Sequence, residues 1–467
     1  DFFSRIPRPS RAATQIQTRT GFQNQAVDKH LPLRPFHATI PVHHRQPFRE
    51  QDSGHVMSLD LYRRDFTQAF RNVVRQRRRA LFALVTIVGG IVAFLLAGGF
   101  IQWILKDMRE STIHSQLGHV QIVRPGFFEQ GLADPYAYLL STSDPAYQTL
   151  SNSPGVRTIT PRLAFTGLIS HGESTISFSG EGVDPAKEGE LSRALQIVAG
   201  QPLAADDAHG IILGEGLAAN LGVKTGDTIV LLSTTTRGSI NAVECKVRGI
   251  FATITKAYDD TFLRVPLPIA LQLSQAKGAT SWIVLLDKTE NTDAFIEQAR
   301  ARTDAQKLQF VAWHELADFY NKTVVLFSRQ VGVVKILIAL IIILSITNTL
   351  SMAVIERTGE IGTIMALGVR RGGILRMFVT EGLLLGLFGG VIGILLGALL
   401  ALTISAIGIP MPPPPGMARG YIGQIMVSPG LIFEALGLAL FTTLLASILP
   451  AWKASRMIIV DALRHQR

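Results

Sequence analysis

Four long stretches of this chain carry no Asp, Glu, Lys or Arg: Ala80 to Leu105, Ile336 to Ile355, Gly382 to Gly408 and Ala435 to Trp452. A helix rises about 1.5 Å per residue and the hydrocarbon layer of a bilayer is about 30 Å thick, so each run can cross, the last with help from apolar residues around Val427 to Phe433. Soluble cores rarely alternate such runs with polar flanks. The fold class that follows is an α-helical membrane protein with four transmembrane helices and a large mixed α/β domain between the first and second. The expected spans cover residues 80–105, 331–355, 379–408 and 427–452, leaving the domain at 106–330, a loop at 409–426 and a tail at 453–467.

Basic residues orient these spans. Arginines cluster from Arg63 to Arg79, recur at Arg357, Arg370, Arg371 and Arg376, and return with Lys453, Arg456, Arg464 and Arg467, whereas only Arg419 lies between the last two spans. The positive-inside rule therefore places both termini and the turn at 356–378 in the cytoplasm, and 106–330 outside. The net charge of +10 reads as topology and attraction to lipid headgroups, not nucleic-acid binding. Hydrophobic content of 47% with 17% charged residues suits such a protein.

Residues 1–56 are rich in Arg, His, Gln and Pro and lack apolar periodicity. They read as a disordered or non-native extension before a start at Met57. Residues 57–79 place Leu59, Tyr62, Phe66, Phe70 and Val73 on one helical side and arginines elsewhere, the pattern of a cytoplasmic amphipathic helix lying in the headgroup plane.

The outer domain carries strand-like runs at His119–Val123, Arg157–Thr160, Ser174–Phe178, Thr228–Leu232, Glu244–Ile250 and Trp282–Leu286, and helical patterns at Pro268–Ala276 and Asp293–Ala301. The division expected is a part joined to both membrane connections, with an insertion at about 161–264. The single cysteine, Cys245, excludes an internal disulfide and reads as a packed strand residue.

Phosphate-loop, H-E-x-x-H and Cys-rich metal signatures do not occur in the sequence. The pairs His114/His119 and Asp259/Asp260 read as solvated surface groups, so no catalytic, cofactor or metal residue is assigned. In the third span Gly382, Gly386, Gly390, Gly393 and Gly397 recur at helical spacing, which lets another helix approach closely; this face could serve a homodimer or a pairing with a paralogous permease. The first span repeats the device more weakly through Gly89 or Gly90, Ala93 and Ala97. Asn348 in the second span reads as an interhelical hydrogen-bonding group.

The turn at 356–378 combines apolar anchors, Ile361, Ile364, Met365 and Leu367, with charges that would fix its register on a partner, Glu356, Arg357 and Glu360. Gly368 supplies a helix stop. Solvated loops do not usually expose four large apolar groups, so the turn reads as a contact surface.

The segment Glu356-Arg357-Thr358-Gly359-Glu360-Ile361-Gly362-Thr363-Ile364-Met365-Ala366-Leu367-Gly368 resembles the signature of the FtsX-like and MacB-like permeases of ABC transporters. The tail Pro450-Ala451-Trp452-Lys453-Ala454-Ser455-Arg456 and the outer run Leu213-Gly214-Glu215-Gly216-Leu217-Ala218 are similar to that family too. The resemblance implies a bacterial inner-membrane permease without catalytic chemistry of its own. A separate cytoplasmic ATPase, which would hold ATP and Mg, docks on the turn, and stalks at Phe100–Ser115 and Trp313–Lys335 move the outer domain.

The run His119-Val120-Gln121-Ile122 with Arg124-Pro125-Gly126 resembles the lipoprotein-releasing (Lol) branch, which implies a lipoprotein substrate. The lack of a fused ATPase domain weighs against the macrolide-exporter arrangement. The alternatives are a MacB-like efflux permease and a non-transporting regulator of a periplasmic enzyme. Partners would be the ATPase, a second permease copy or paralogue, membrane lipids and a periplasmic or lipoprotein substrate. The run Met411-Pro412-Pro413-Pro414-Pro415-Gly416 predicts a stiff extended loop.

Overall fold

In hydrocarbon every backbone N–H and C=O must find a partner inside its own segment, so each uncharged run becomes a helix. The computed structural model describes residues 77–131, 134–207, 209–304, 306–412 and 420–464, with Thr67, Ala69, Arg71, Asn72 and Arg75. The extension at 1–56, most of the amphipathic segment, Arg419 and the prolines Pro413 to Pro415 lie outside the described residues.

Helix α1, Arg77–Thr112, runs into a π-helical turn at Ile113–Leu117. Strand β1 (Val120–Val123) follows, then α2 (Pro145–Ser151), β2 (Val156–His171), β3 (Ser174–Val183), α3 (Pro185–Leu191), β4 (Gln196–Gly200), β5 (Gly210–Gly214) and α4 (Glu215–Leu221). Next come β6 (Thr228–Thr234), β7 (Ile240–Ala252), α5 (Lys256–Asp259), β8 (Phe262–Pro266), α6 (Leu267–Ser274), β9 (Ser281–Leu286), α7 (Thr292–Arg302) and β10 (Gln309–Ala312). The short α8 (Trp313–Leu316) leads into α9 (Asp318–Glu356), α10 (Thr358–Ala366) and α11 (Arg371–Ile407). A small hairpin of β11 (Ile409–Met411) and β12 (Tyr421–Gly423) precedes α12 (Pro429–Ser455) and α13 (Ile459–Arg464).

Four of these helices, counted from Arg77–Leu117 as one, are long and apolar enough to cross a membrane. They pack as a bundle around Ile87, Ile91, Leu95, Ile342, Leu385 and Ala439. Lys335 of α9 pairs with Glu434 of α12. Thr347 donates to the Ala446 carbonyl at 3.1 Å, while Asn348, expected to bridge helices, is exposed.

The domain between α1 and α9 is built on one ten-stranded sheet, β10-β1-β9-β2-β3-β8-β5-β7-β4, with β6 pairing β2 and β7. Long β2 belongs to two cores. One gathers Val120, Ile122, Ile159, Trp282, Phe295 and Phe310 beside the membrane connections, and forms the near lobe. The other gathers Phe165, Phe178, Leu213, Leu217, Leu263 and Ile269, and forms the far lobe. The far lobe thus includes α6 and reaches Ala276, beyond the boundary near 264 expected from the sequence. The reason is that the apolar side of α6, at Ile269, Ala270 and Leu273, is buried against the far-lobe sheet.

Cys245 is 1% exposed and its thiol is pushed up to about 12 by burial and then by Glu244, so it stays protonated.

Candidate functional site

A charged turn joins α9 to α11. Arg357 closes α9, α10 spans Thr358–Ala366, and Gly368 at φ +97° ends it by donating its N–H to the Met365 carbonyl at 3.0 Å. A left-handed residue suits glycine at that position, and the chain then enters α11.

The structure divides the predicted apolar anchors. Ile361 and Met365 are 1% and 8% exposed, packed with Val354, Ile374, Phe378, Ala451 and Ala454. The expectation that all four anchors are exposed is therefore corrected: spacing of four residues puts Ile361 and Met365 together on the inner side of α10. Ile364 sits at the edge and Leu367 is 82% exposed. Thr363, Ala366 and Val369 are exposed beside it, and Gly359 is buried.

The charges also meet partners within the chain. Glu356 pairs with Arg79, and Glu360 with Arg75 at 2.9 Å. Arg357 reaches Glu360 at 3.2 Å and Glu381 at 3.5 Å, and its guanidinium lies 5.9 Å from the Phe378 ring centre. Instead of standing free for a partner, these residues clasp α10 to the start of α1 and to α11. Exposed pairs such as Glu356–Arg79 and Glu360–Arg75 add little stability singly, but together with the buried contact of Arg357 with Glu381 they fix where the short helix sits.

The glycines of α11 serve two neighbours in the same chain. Gly382 and Gly386 face Ser447 and Thr443 of α12, Gly390 faces Ala439, and Gly393 and Gly397 face Ile91 and Leu95 of α1. A Cβ at Gly386 would stand 2.2 Å from Thr443 Oγ1. The glycine side is consumed inside the chain, so it is not free to pair two permeases. Apolar sides are left open on α9, at Ile336, Leu337, Leu340, Ile341 and Leu344, and also on α11 at Leu395, Leu399 and Leu402 and on α12 at Phe441 and Leu449.

At the other end of α1 the sequence missed a polar joint. His119, expected on the surface, is 2% exposed, and its ring stands 6.0 Å from that of His114. Its Nδ1 accepts the Leu286 N–H at 3.0 Å, so Nε2 carries the proton and donates to Thr289 Oγ1 at 3.0 Å. Asp259 is 1% exposed and accepts from the Thr253 N–H and hydroxyl, while Asp260 pairs with Lys256 at 2.7 Å. Among the described residues no group of three or more His, Cys, Asp or Glu is placed to hold a metal.

Burial, followed by the neighbouring His114, lowers the His119 pKa from 6.5 to about 4. The unfolded chain binds more protons than the folded one between those values, so stability falls as pH drops through that window, by up to about 3 kcal/mol. Thermal unfolding of the detergent-solubilised protein at pH 7 and pH 4.5 should register this loss. His119→Asn, which cannot protonate, should flatten the dependence.

A family profile described as "FtsX-like permease C-terminal" matches residues 332–459, and one described as "MacB-like periplasmic core domain" matches residues 80–302. An uncharacterized ABC transporter permease of Methanocaldococcus jannaschii is 25% identical, across 86% of this chain and 97% of its own length. The lipoprotein-releasing system transmembrane protein LolE of Haemophilus influenzae is 26% identical, across 55% of this chain and 63% of its own. The macrolide export ATP-binding/permease protein MacB of Brucella abortus is 32% identical, across 39% of this chain and 26% of its own. The chain therefore matches less than two thirds of LolE and about a quarter of MacB.

Proposed function

Since this chain belongs to the FtsX-like permeases of ABC transporters that carry a MacB-like periplasmic core, we propose that it is the membrane lever of such a transporter. An ATPase on a separate cytoplasmic subunit, holding ATP and Mg, docks on the turn at 356–378. Its closure tilts α1 and α9, and the outer domain moves a substrate on the far side of the membrane. This reading puts both termini in the cytoplasm and the protein in a bacterial inner membrane, following the arginine distribution.

One observation carries the reading. The helical runs Arg77–Leu117 and Asp318–Glu356 hold 41 and 39 residues, about 60 Å each, twice the hydrocarbon thickness. Both therefore continue past the lipid as rods into the outer domain, so displacement at one end reappears at the other. No through-membrane channel is required.

The docking face consists of Leu367, Val369, Thr363 and Ala366, with Ile364 at its edge. Ile361, Met365, Glu356, Arg357 and Glu360 position α10 from behind, while Gly359 and Gly368 shape it. The open side of α9 meets lipid or a second permease, a copy or a paralogue. The substrate is an acylated, lipoprotein-like molecule drawn from the membrane; the likeness to LolE supports this, and the likeness to MacB supports efflux of a small molecule as the second reading.

Photo-crosslinkers placed on exposed outer-domain sites in cells will test the substrate class. Trapped acylated lipoprotein is the expected product. Trapping of a cell-wall hydrolase instead, or growth resistance to small molecules without any trapped protein, would overturn the lipoprotein assignment in favour of regulation or efflux.

A further inference from the structure

The last carbonyls of a helix have no partner within it and must be met from elsewhere. The π-helical turn that ends the first rod stops at Gly118, φ +65°, and its final carbonyls are received one by one. His114 O accepts from the Ala194 N–H at 3.1 Å, Ser115 O from Arg264 Nη2 at 2.7 Å, Gln116 O from Arg162 Nη1 at 2.6 Å, and Leu117 O from Gln121 Nε2 at 3.3 Å. Three of these donors, at 162, 194 and 264, lie on the segment inserted into the outer domain. The rod's covalent path, by contrast, leads through Gly118 into β1 of the near lobe.

The two arginines are held for this purpose. Arg162 and Arg264 are each 1% exposed. Glu188 binds Arg162 through two bonds of 2.9 Å and accepts from Ser192 Oγ at 2.7 Å, and Ser192 Oγ in turn receives Arg264 Nη1 at 2.9 Å. Glu181 Oε2 stands 3.2 Å from Arg162 and 3.3 Å from Arg264. Burial pushes the Glu188 carboxyl up, but Arg162 and Arg264 outweigh it and hold it below the usual value. Two positive and two negative charges thus cancel in a largely buried site, and the guanidinium forks keep spare N–H groups aimed at the rod's dipolar end.

The second rod is anchored differently. It continues directly from β10 of the near lobe through α8, whose Trp313 N–H donates to the His119 carbonyl at 3.0 Å.

We propose that Arg162 and Arg264 are the joint through which the first rod drives the far lobe, so that tilting the two rods relative to each other moves one lobe against the other. The proposal rests on the lever reading above. Arg162 and Arg264 act here as positioning residues.

The test uses the permease with its ATPase subunit in lipid nanodiscs. Spin labels go at Ile407, 86% exposed at the end of α11, and either at Ile240 of the far lobe, 77% exposed, or at Lys307 of the near lobe, whose side chain is 77% exposed. Distances are measured with and without ATP and vanadate. In the parent both pairs should shift with nucleotide. In the set Arg162→Met, Arg264→Met, Glu181→Gln and Glu188→Gln, which leaves no unpaired buried charge, the Lys307 shift should persist while the Ile240 shift falls by half or more. Arg264→Lys, which keeps the charge and loses the fork, should give a smaller loss and serves if the full set does not fold. An undiminished Ile240 shift in these variants, or a parent in which Lys307 alone moves, would overturn the joint alone. A parent in which neither label moves would overturn the lever reading and the joint together.

Discussion

Gly386→Leu will force α11 away from α12 and destabilise the bundle more than other single changes among the α11 glycines. The added Cβ alone would sit 2.2 Å from Thr443 Oγ1, 2.9 Å from its Cγ2 and 3.0 Å from its Cβ, so the first atom of the new side chain already overlaps a β-branched neighbour. Overpacking of this kind costs about 3 kcal/mol where the backbone must shift. Membrane helices associate through close packing, since lipid already satisfies their apolar groups, so a lost contact is not replaced by burial elsewhere. Gly393→Leu should act the same way against α1, where Ile91 Cβ lies 2.8 Å from the added atom. Gly437→Leu is the control, because nothing lies within 4 Å of its Cβ position. Thermal unfolding in detergent should rank the three, with Gly437→Leu at the parent's midpoint. Equal midpoints for Gly386→Leu and the parent would contradict the packing described.

Leu367→Asp should abolish the productive hold of the ATPase while leaving the permease's own stability unchanged. Leu367 is 82% exposed at the end of α10, so the folded chain loses nothing when it becomes polar. At a docked interface the same change places an unpaired carboxylate against an apolar surface, a loss of about 2 kcal/mol or more, roughly 30-fold in affinity. Ile361→Asp should do the reverse, lowering the unfolding midpoint of the permease because Ile361 is 1% exposed in its own core. Met365, at 8% exposure, belongs with Ile361. Binding of the ATPase to solubilised permease, measured beside thermal unfolding, separates the two effects. If Leu367→Asp binds as the parent does, the exposed side of α10 is not the docking face.

The turn at 356–378 shows where sequence reading runs out. Apolar residues at 361, 364, 365 and 367 declare a surface that wants cover, but not whether the cover is the same chain or another. Here the inner pair meets Phe378 and Ala454, and Leu367 is left over. The spans were legible because an apolar run of about twenty residues without charge is rare except where lipid is the solvent. The strands read correctly were those with β-branched or aromatic enrichment, such as Trp282–Leu286.

Of those missed, β5, β8 and β10 are short and almost wholly buried, whereas β4 is short and largely exposed. Gly210–Gly214 is buried throughout and pairs parallel with β7, so it lacks the alternation that marks a half-exposed strand. Two short helices carried a usable signal, Asp144-Pro145 and Asp184-Pro185, where the aspartate accepts the N–H two residues on and proline opens the first turn. The buried joint left only a trace, one arginine inside the apolar run Phe262-Leu263-Arg264-Val265-Pro266. Its partners Ser115, Glu181, Glu188 and Ser192 are scattered along the chain, and only the fold brings them together.

The central claim is that the lipid acts as the fulcrum between the turn and the outer domain. With Cys245 replaced by alanine, single cysteines at Arg370, exposed after α10, and at Lys307 of the near lobe can be labelled by a membrane-impermeant maleimide. In sealed inside-out vesicles Arg370→Cys should react and Lys307→Cys should not, with the order reversed in intact spheroplasts. Labelling of both positions from the same side would contradict the account.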